Sequence, residues 1–338
     1  MFGNLLLGAL LSLTSAAFFG MNATSVRRGV LTGTVLQGLS ISFGFGLPFF
    51  ILMSVVLGSF QQIWNFSNFS YALLVLAGLI HFGFGRYCNY RATKAMGGLL
   101  VRPLQQISVI LSLFLATMFL GETLTPIRFL GIFLILLGPL ILLGYRFKIY
   151  IRLKKENIKN IRNEKEFNPN YKEGFVFAMG SAFGFGASPV LVRGALVDLD
   201  YTAGVAGGVV SYAAAAILIL IVVASPVRMK HVFSMSKVSA KWFSLSAFFI
   251  SVSQMLRYMA LAVAPVSIVA PIQQTSLIFQ VLFSWFINRD HESFSVWVLV
   301  AIFSSFIGAV LVSLSTDFIM SIFDFPEDVE TFLLLSWP

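Results

Sequence analysis

The sequence is poor in charge and has almost no cysteine. Charged residues make up 11% of the 338 residues, whereas soluble domains contain about 25%. Cys88 is the one cysteine, which excludes an intramolecular disulfide and a cysteine-rich metal site. Hydrophobic residues reach 58%, and the mean hydropathy is +0.88. This composition predicts an integral membrane protein rather than a soluble domain.

Carboxylates are absent from the middle of every apolar stretch. All 14 Asp and Glu residues fall in loops, in a linker, in the C-terminal tail or at the ends of stretches. Proton-coupled antiporters generally need a titratable group at depth, and His81 is the one candidate. A lone histidine on an apolar face is more often a hydrogen-bonded structural residue. No P-loop, dinucleotide or zinc signature occurs, so we predict no cofactor, no metal and no catalytic residue.

What the sequence has in quantity is long apolar stretches. Each is close to the length of about 20 residues that an α-helix needs to cross a bilayer. The stretches are continuous rather than alternating, which favours helices over a β-barrel. We predict ten spans: Leu5–Ala23, Gly33–Leu57, Ser70–Tyr90, Gly97–Leu120, Ile127–Tyr145, Phe175–Val192, Thr202–Ala224, Phe243–Leu261, Val266–Ile287 and Phe294–Ser315.

A polar, basic segment over residues 146–173 separates five spans from five. PLQQIS at Pro103 returns as PIQQTS at Pro271, and SAAFFGMNATSVRRG at Ser15 is echoed by SAFGFGASPVLVRG at Ser181. Because five is odd, the second copy must be upside down, and inverted repeats of this kind build many transporters. We predict an all-α integral membrane fold of ten transmembrane helices in two inverted five-helix repeats, residues 1–145 and 174–316, with a tail over 317–338.

Basic residues are distributed unequally between the two predicted faces. Most of the 23 lysines and arginines fall in the loops on one side and in the linker, whereas Arg128 and Arg193 lie on the other. The positive-inside rule makes the basic face cytoplasmic and places both termini outside. It also explains the net charge of +9 without nucleic acid. The expected partners are the lipid bilayer and a small-molecule substrate, with the chain a monomer or a homodimer in the inner cell membrane.

Cationic and amide side chains lie inside the predicted spans. Each arginine alone could extend to the interface instead. Together, guanidinium and amide groups in a low-dielectric cavity would attract a carboxylate or phosphate. We therefore predict an anionic or zwitterionic metabolite, for example an amino acid. The candidate substrate-binding residues are His81, Arg86, Arg102, Gln105, Gln106, Arg257, Gln273 and Gln274, with Asn89 and Gln254 nearby.

Proline and glutamate recur at matching positions of the two halves. Pro103 and Pro271 each remove a helical hydrogen bond next to an amide pair. A simple packing kink is one interpretation, and a cavity-lining break is the other. Glu122 and Glu292 each precede a span, where capping of that following helix is the simplest role. The FGFG motifs, found at Phe43, Phe82 and Phe183, are typical of close helix packing.

These features resemble the EamA-like members of the drug/metabolite transporter (DMT) superfamily. In each half a Tyr-x-Ala step, at Tyr90 and Tyr258, precedes a proline-containing span. GETLTPIRFLGIFLILLGPLIL, starting at Gly121, is the most specific portion. HESFSVWVLVAIFSSFIGAVLV departs from it with His291 and Ala301 in place of glycines. The resemblance implies secondary transport by alternating access, without ATP and without enzymatic activity.

Two other classes are weighed against transport. An integral-membrane enzyme or lipid-handling protein would usually show clusters of His, Asp and Glu at a membrane face, and the sequence has none. A non-transporting membrane scaffold is the third class. Substrate-dependent stabilisation of the purified protein, or counterflow in liposomes, separates transport from scaffolding.

Overall fold

The structure, a computed structural model, describes residues 2–96, 101, 104–160, 170–197, 199–287, 296–313 and 326–336. Over these ranges the chain is α-helical and contains no β-strand. Seven helices among these residues are long and apolar enough to cross a membrane, and two shorter apolar helical segments, Ile107–Leu120 and Pro126–Gly138, accompany them. The second of these segments is the first part of a longer helix that runs to Asn160. The seven are Gly3–Val30, Val35–Val56, Asn68–Met96, Tyr171–Leu196, Tyr201–Val223, Lys237–Val263 and Val266–Phe283.

The helices follow one another with short connections. A 3-10 turn over Phe60–Asn65 and a π-helix over Gly78–Gly85 accompany them. The α-helices are α1 (Phe2–Thr32), α2 (Val35–Val56), α3 (Asn68–Ala77), α4 (Arg86–Met96), α5 (Ile107–Leu120), α6 (Pro126–Asn160), α7 (Tyr171–Leu196), α8 (Tyr201–Val223), α9 (Pro226–Phe233), α10 (Lys237–Val263), α11 (Val266–Gln273), α12 (Ser276–Ile287), α13 (Val296–Ser313) and α14 (Glu327–Leu334).

Polar side chains define where several helices begin. Thr34 and Gln37 form a reciprocal capping box at the start of α2, in which each side chain bonds the other residue's backbone N–H. Ser67, Asn170 and Asp200 accept a backbone N–H at the starts of α3, α7 and α8. Such caps satisfy donors that have no partner within the helix. A long helix can therefore begin directly after a short connection without leaving these N–H groups unpaired.

Each half of the chain packs largely against the other. Helix α1 lies on α10 and α12, while α7 lies on the α3–π–α4 segment and on α5. Helix α2 packs on α8, and α6 packs on α13. At the last contact the helices approach closely, since a Cβ on Gly308 would lie 2.6 Å from the Gly131 carbonyl oxygen. Small residues at such crossings are typical of membrane helix pairs.

Helix α6 continues well beyond the fifth predicted span. The apolar pattern ends at Tyr145, yet the helix runs to Asn160 through the first part of the predicted linker. Lys, Arg, Glu and Leu are good helix formers whether or not they are buried, so the helix continues where the apolar pattern stops. Residues 161–169 lie outside the described ranges, and the next helix begins at Tyr171.

Two spans depart from a regular α-helix near the centre of the protein. The third contains the π-helix Gly78–Gly85, in which hydrogen bonds skip an extra residue. The ninth is split into α11 and α12. There Gln274 and Thr275 donate their N–H groups to carbonyls only three residues back, those of Pro271 and Ile272. Such breaks release backbone polar groups inside the protein, where they are tolerated beside a cavity.

An aromatic cluster fills the interior between α2, the π-helix, α8 and α10. Tyr212 and Tyr258 are fully buried. The Tyr212 ring lies 4.2 Å from the Phe82 ring and 4.7 Å from the Phe50 ring, measured between centroids. Aromatic pairs at these separations add to the free energy gained by burial. The cluster forms one wall behind the buried polar residues described next.

Candidate functional site

A small polar cavity lies where the π-helix, α10 and the α11–α12 segment meet α1, α7 and the start of α5. Its volume is about 70 Å³, which is room for a few water molecules. Its apolar lining consists of Phe19, Val109, Phe185, Pro189 and Ala270. Its polar lining consists of His81, Gln105, Ser108, Ser112, Gln254, Arg257, Gln273, Gln274 and Ser276.

Arg257 is the charged group of this cavity. It projects from the C-terminal third of α10 and is 6% exposed. Its Nη1 lies 3.4 Å from Gln254 Oε1 and 3.3 Å from both ring nitrogens of His81. Within the described ranges no carboxylate lies within ion-pair distance of it. Burying a guanidinium without an anion costs free energy. A negative group that bound here would recover part of that free energy.

His81 is positioned by the π-helix. Its imidazole is buried between the rings of Phe82 and Phe185, at 4.9 and 4.8 Å between centroids. A guanidinium only donates hydrogen bonds, so the imidazole accepts from Arg257 at one of its nitrogens. His81 is therefore a hydrogen-bonded residue, as the structural interpretation expects. It also lines the cavity, so a structural role does not conflict with the prediction that His81 contacts a substrate.

Gln105 connects three helical segments. Its Nε2 donates to Asn89 Oδ1 at 2.7 Å and to Ser181 Oγ at 3.1 Å. Asn89 belongs to α4, and Ser181 belongs to α7. The amide is 6% exposed and faces the cavity. Because both donors of this amide are held by the protein, the position of its head group is fixed before any ligand arrives.

The Gln273–Gln274 pair lies at the break between α11 and α12. Gln273 Nε2 donates to the Ser12 carbonyl of α1 at 3.1 Å, and Gln274 occupies the turn itself. Pro271, two residues earlier, is buried within α11. The helix breaks beside the amide pair, but Pro271 itself is not among the residues that line the cavity. A packing kink and a break beside a cavity both stay predictions for this proline.

Arg86 occupies a separate place behind the cavity. It is 4% exposed and donates to Ser42 Oγ and to Tyr212 Oη. Its guanidinium carbon also lies 4.9 Å from the centroid of the Phe82 ring, a cation–π distance. Extension to the interface is thus wrong for Arg86, as it is for Arg257, because both side chains are buried. Arg86 is not among the residues that line the cavity.

Two further predicted site residues are not among the described residues that line the cavity. Gln106 is partly buried, its Oε1 is without a hydrogen-bond partner, and it does not line the cavity. Arg102 lies outside the described residues, as does Pro103. The structure therefore brings together His81, Gln105, Arg257, Gln273 and Gln274.

Comparison with known proteins agrees with this architecture. Residues 6–144 match the sequence model of the EamA-like transporter family. This part of the chain is an EamA-like unit of the DMT superfamily. Seven helices among the described residues are able to span a membrane, so the chain is a multi-pass integral membrane protein. The members of the family that residues 6–144 match are transporters rather than enzymes.

A fold similar to that of the chain also occurs in solved structures. One of them, titled only as the crystal structure of a protein, aligns with a TM-score of 0.64 at 16% sequence identity. The alignment covers 90% of this chain and 96% of that one. The likeness extends past residue 144, so the fold that the two proteins share includes the second half. No curated protein sequence matches the chain.

Sequence reasoning missed three hydroxyls that line the cavity. Ser108, Ser112 and Ser276 all line it. Ser108 and Ser276 end the repeated hexapeptides PLQQIS and PIQQTS, so the repeat itself carried the signal. Ser112 follows one helical turn after Ser108, and its Oγ donates to the Gly186 carbonyl at 2.7 Å. Serines inside apolar helices give no other sign that they face a cavity.

Glu122 caps a helix, but not the one that follows it. Its Oε1 accepts the N–H of Val266 at 2.7 Å, and its Oε2 accepts the N–H of Ser267 at 2.8 Å. These residues begin α11, in the other half of the chain. The predicted role, N-terminal helix capping, is therefore confirmed, but the helix that Glu122 caps is α11 and not the one starting at Pro126. Sequence proximity pointed to the neighbouring helix, whereas packing of the halves brings a distant helix closer.

Proposed function

We propose that this EamA-like protein is a secondary transporter for a small metabolite that carries an anionic group, either a pure anion or a zwitterion such as an amino acid. The observation that supports this most directly is Arg257, a buried guanidinium at a polar cavity with no carboxylate partner among the described residues. A substrate carboxylate or phosphate would supply the missing charge, with bonds stronger than those between neutral groups.

The rest of the lining suits a polar body rather than a second charge. The amides of Gln105, Gln254, Gln273 and Gln274 offer donors and acceptors, and Phe185 offers a ring face. None of the cavity's described lining residues is a carboxylate. A purely cationic compound would therefore face Arg257 with no compensating anion, and like charges in a low-dielectric site repel. The proposal thus favours substrates with at least one negative charge.

The proposed architecture is ten spans in two inverted five-helix repeats, separated by the basic linker. The contacts between helices support it, because they persist when the halves are exchanged. Helix α1 packs on α10 as α7 packs on the α3–π–α4 segment, and α1 packs on α12 as α7 packs on α5. When the halves are exchanged, α2 takes the place of α8 and α6 takes the place of α13. The contacts between α2 and α8 and between α6 and α13 are therefore unchanged. Both repeats lie in one chain, so a monomer can enclose the site, and a homodimer would contain two.

Contacts between the connections support an up-and-down arrangement of these spans. At one end, Gln62 bonds Thr202, and Glu122 bonds the start of α11. At the other end, Thr34 bonds His231, and Asn170 bonds the Ala95 carbonyl. The second end carries the basic loops that include Lys94, Lys230 and Lys237. The positive-inside rule would make it cytoplasmic, in the cell membrane or, where there are two, the inner one.

Alternating access fits the size of the cavity. Sites for small molecules usually enclose about 300–1,000 Å³, whereas this one encloses about 70 Å³. A metabolite would enter only after helices around the cavity separate. Movement of one repeat against the other about a fixed central site is the common way in which inverted repeats do this.

The test compares each anion with its neutral ester. Purified protein is screened by thermal shift against a metabolite library that includes carboxylates and their methyl esters. We expect stabilisation by certain carboxylates and none by their esters. Arg257→Gln should weaken binding of a stabilising compound by about 10-fold to 100-fold, the effect of losing a charged hydrogen bond. Counterflow of the same compound in liposomes then measures transport.

Arg128→Gln is the matched control. Arg128 lies on α6, away from the cavity, where its Nη1 donates to the Thr123 carbonyl. This variant should bind as the parent does. Equal binding of acids and esters, or uptake of a purely cationic compound unaffected by Arg257→Gln, would contradict the proposal.

A further inference from the structure

The carboxylate of Glu122 joins the two halves of the protein at one end. Glu122 follows α5, which ends at Gly121 with a positive φ of 63°. Its two oxygens accept the first two N–H groups of α11, from Val266 and Ser267. One carboxylate therefore occupies two donors at once. Both distances, 2.7 and 2.8 Å, lie in the range of charge-assisted hydrogen bonds.

Nothing on α11 itself could replace this cap. The residue before the helix is Pro265, which makes no side-chain capping bond. The first N–H groups of a helix have no partner within it, and the positive end of the helix dipole favours an anion. Glu122 supplies both the acceptors and the negative charge. Helix α11 thus depends on a side chain from the other half of the chain.

Helix α11 in turn carries part of the cavity. It has only eight residues, from Val266 to Gln273. Ala270, Gln273 and Gln274 line the cavity at its far end, where the helix breaks. Helix α11 packs on α1 and α5. A shift at its first residue would therefore be transmitted along a short, rigid rod to the amide pair.

The preceding helix is held at the same point. Arg193 Nη1 donates to the carbonyls of Leu261 and Ala262, at 3.1 and 2.6 Å. These carbonyls belong to the C-terminal turn of α10, where a cation is favoured. The α10–α11 junction thus has a cation on one side and an anion on the other. Both come from segments outside α10 and α11.

We propose that Glu122 is a positioning residue for the cavity, which holds α11 in place and closes that end of the protein against solvent. The inference rests on the proposed function only in taking the cavity as the substrate site. Release of the carboxylate from Val266 and Ser267 frees α11 to move away from α5. The cavity then opens towards the end at which Glu122 lies.

Amide hydrogen exchange of the purified full-length protein tests the bond directly. Glu122→Gln keeps the shape of the side chain and removes its charge, so one strong acceptor is lost. We expect exchange at Val266 and Ser267 to rise at least about tenfold, because two charge-assisted hydrogen bonds are weakened. Glu122→Asp keeps the charge on a shorter side chain. Its exchange rate at Val266 and Ser267 should lie between those of the parent and of Glu122→Gln.

Thiol labelling tests whether the cavity opens. In a Cys88→Ala background, Ser276→Cys places a single thiol in the cavity lining, at a site only 6% exposed. Adding Glu122→Gln should raise the rate of its reaction with N-ethylmaleimide about tenfold. Val266→Pro offers a second route, because it removes one donor and leaves the carboxylate in place. Proline is tolerated at the first position of a helix, so this variant is expected to fold.

Two control variants separate positioning from general loosening. Ser267→Ala removes a buried hydroxyl without a partner and keeps the backbone N–H. Glu173→Gln removes a carboxylate that pairs with Arg91 in an exposed place. Neither should change exchange at Val266 or labelling at position 276. The proposal would be overturned by a parent-like labelling rate at position 276 in both Glu122→Gln and Val266→Pro, by parent-like exchange at Val266 in Glu122→Gln, or by equal increases in the controls. None of these results would affect the Arg257 test.

Discussion

At Arg257 a single guanidinium contacts an imidazole and an amide but no carboxylate within the described part of the chain. Its acceptors are a ring nitrogen of His81, at 3.3 Å from Nη1, and Gln254 Oε1, at 3.4 Å. Both distances are at the outer limit of a hydrogen bond. The charge is therefore only partly stabilised. A change of one atom at position 254 could complete the stabilisation from within the protein.

Gln254→Glu should supply that anion internally. The new carboxylate would pair with Arg257 and raise the free energy of unfolding by about 1.5–3 kcal/mol, the range for charged hydrogen bonds. It would also take the place of the ligand's negative group. We expect higher thermal stability together with loss of the thermal shift produced by carboxylate compounds.

Gln62→Glu serves as the control for an added negative charge. Gln62 donates to Thr202 at one end of the protein and does not line the cavity. The Gln62→Glu protein should keep its response to carboxylates. If Gln254→Glu binds the same anions as the parent does, Arg257 is not the group that recognises them.

The residues of the cavity were partly predictable. The repeated hexapeptide predicts Gln105, Gln273 and Gln274, because it places an amide pair after a proline in both halves. The site of Arg86 was not predictable, because an apolar stretch shows no helical face when it is buried all round. The π-helix before Arg86 also changes which direction each side chain takes. Only the packed structure separates Arg86 from Arg257.

Among the helices, close approach depends on glycine at a few contacts. A Cβ on Gly78 would lie 2.2 Å from the Ser211 carbonyl oxygen of α8, closer than any real contact. Gly184 and Gly85, from two of the FGFG motifs, are similarly close, because a Cβ on Gly184 would lie 2.9 Å from Gly85 Cα. These contacts fix the π-helix, and with it His81, against neighbouring helices.

Gly78→Ala should force the π-helix away from α8. Because the obstructing atom is backbone, a side-chain rotation cannot relieve the contact, and we expect a loss of about 1–3 kcal/mol in the free energy of unfolding. Gly44→Ala is the matched variant, since nothing lies within 4 Å of a Cβ there. It should be neutral or more stable by up to about 1 kcal/mol. Equal effects of the two substitutions on thermal denaturation would refute the packing role of Gly78.

Element boundaries were predictable where hydropathy decides them and not elsewhere. The second and seventh stretches, Gly33–Leu57 and Thr202–Ala224, agree with α2 and α8 to within a few residues. Hydropathy gave no sign of the helix that continues to Asn160, because helix propensity and burial are independent. It also treated Val266–Ile287 as continuous, whereas hydrogen bonding after Pro271 divides it.

For the whole molecule, the two halves make matching contacts with each other, and these contacts predict which connections lie on the same side of the membrane. In a Cys88→Ala background, Ser67→Cys should react with a membrane-impermeant maleimide in intact cells. Ser234→Cys should react only after permeabilisation, because its loop belongs to the basic end. Both positions are exposed in the structure, so a failure to react reports sidedness and not burial.

Leu199→Cys and Lys237→Cys provide an independent pair. Leu199→Cys should react in intact cells, as Ser67→Cys does, and Lys237→Cys should react only after permeabilisation, as Ser234→Cys does. Reaction of all four from one side would exclude the inverted arrangement. The opposite assignment of sides would keep the inverted repeats and reverse the orientation drawn from charge.

The narrow cavity has a consequence for the cell that hosts the protein. Among the described residues, the cavity has space for only a few waters, and the positive charge of Arg257 belongs to its lining. A fixed guanidinium repels protons and metal cations electrostatically. A transporter built around this cavity would therefore conserve the ion gradients of an energised membrane while the cavity is closed.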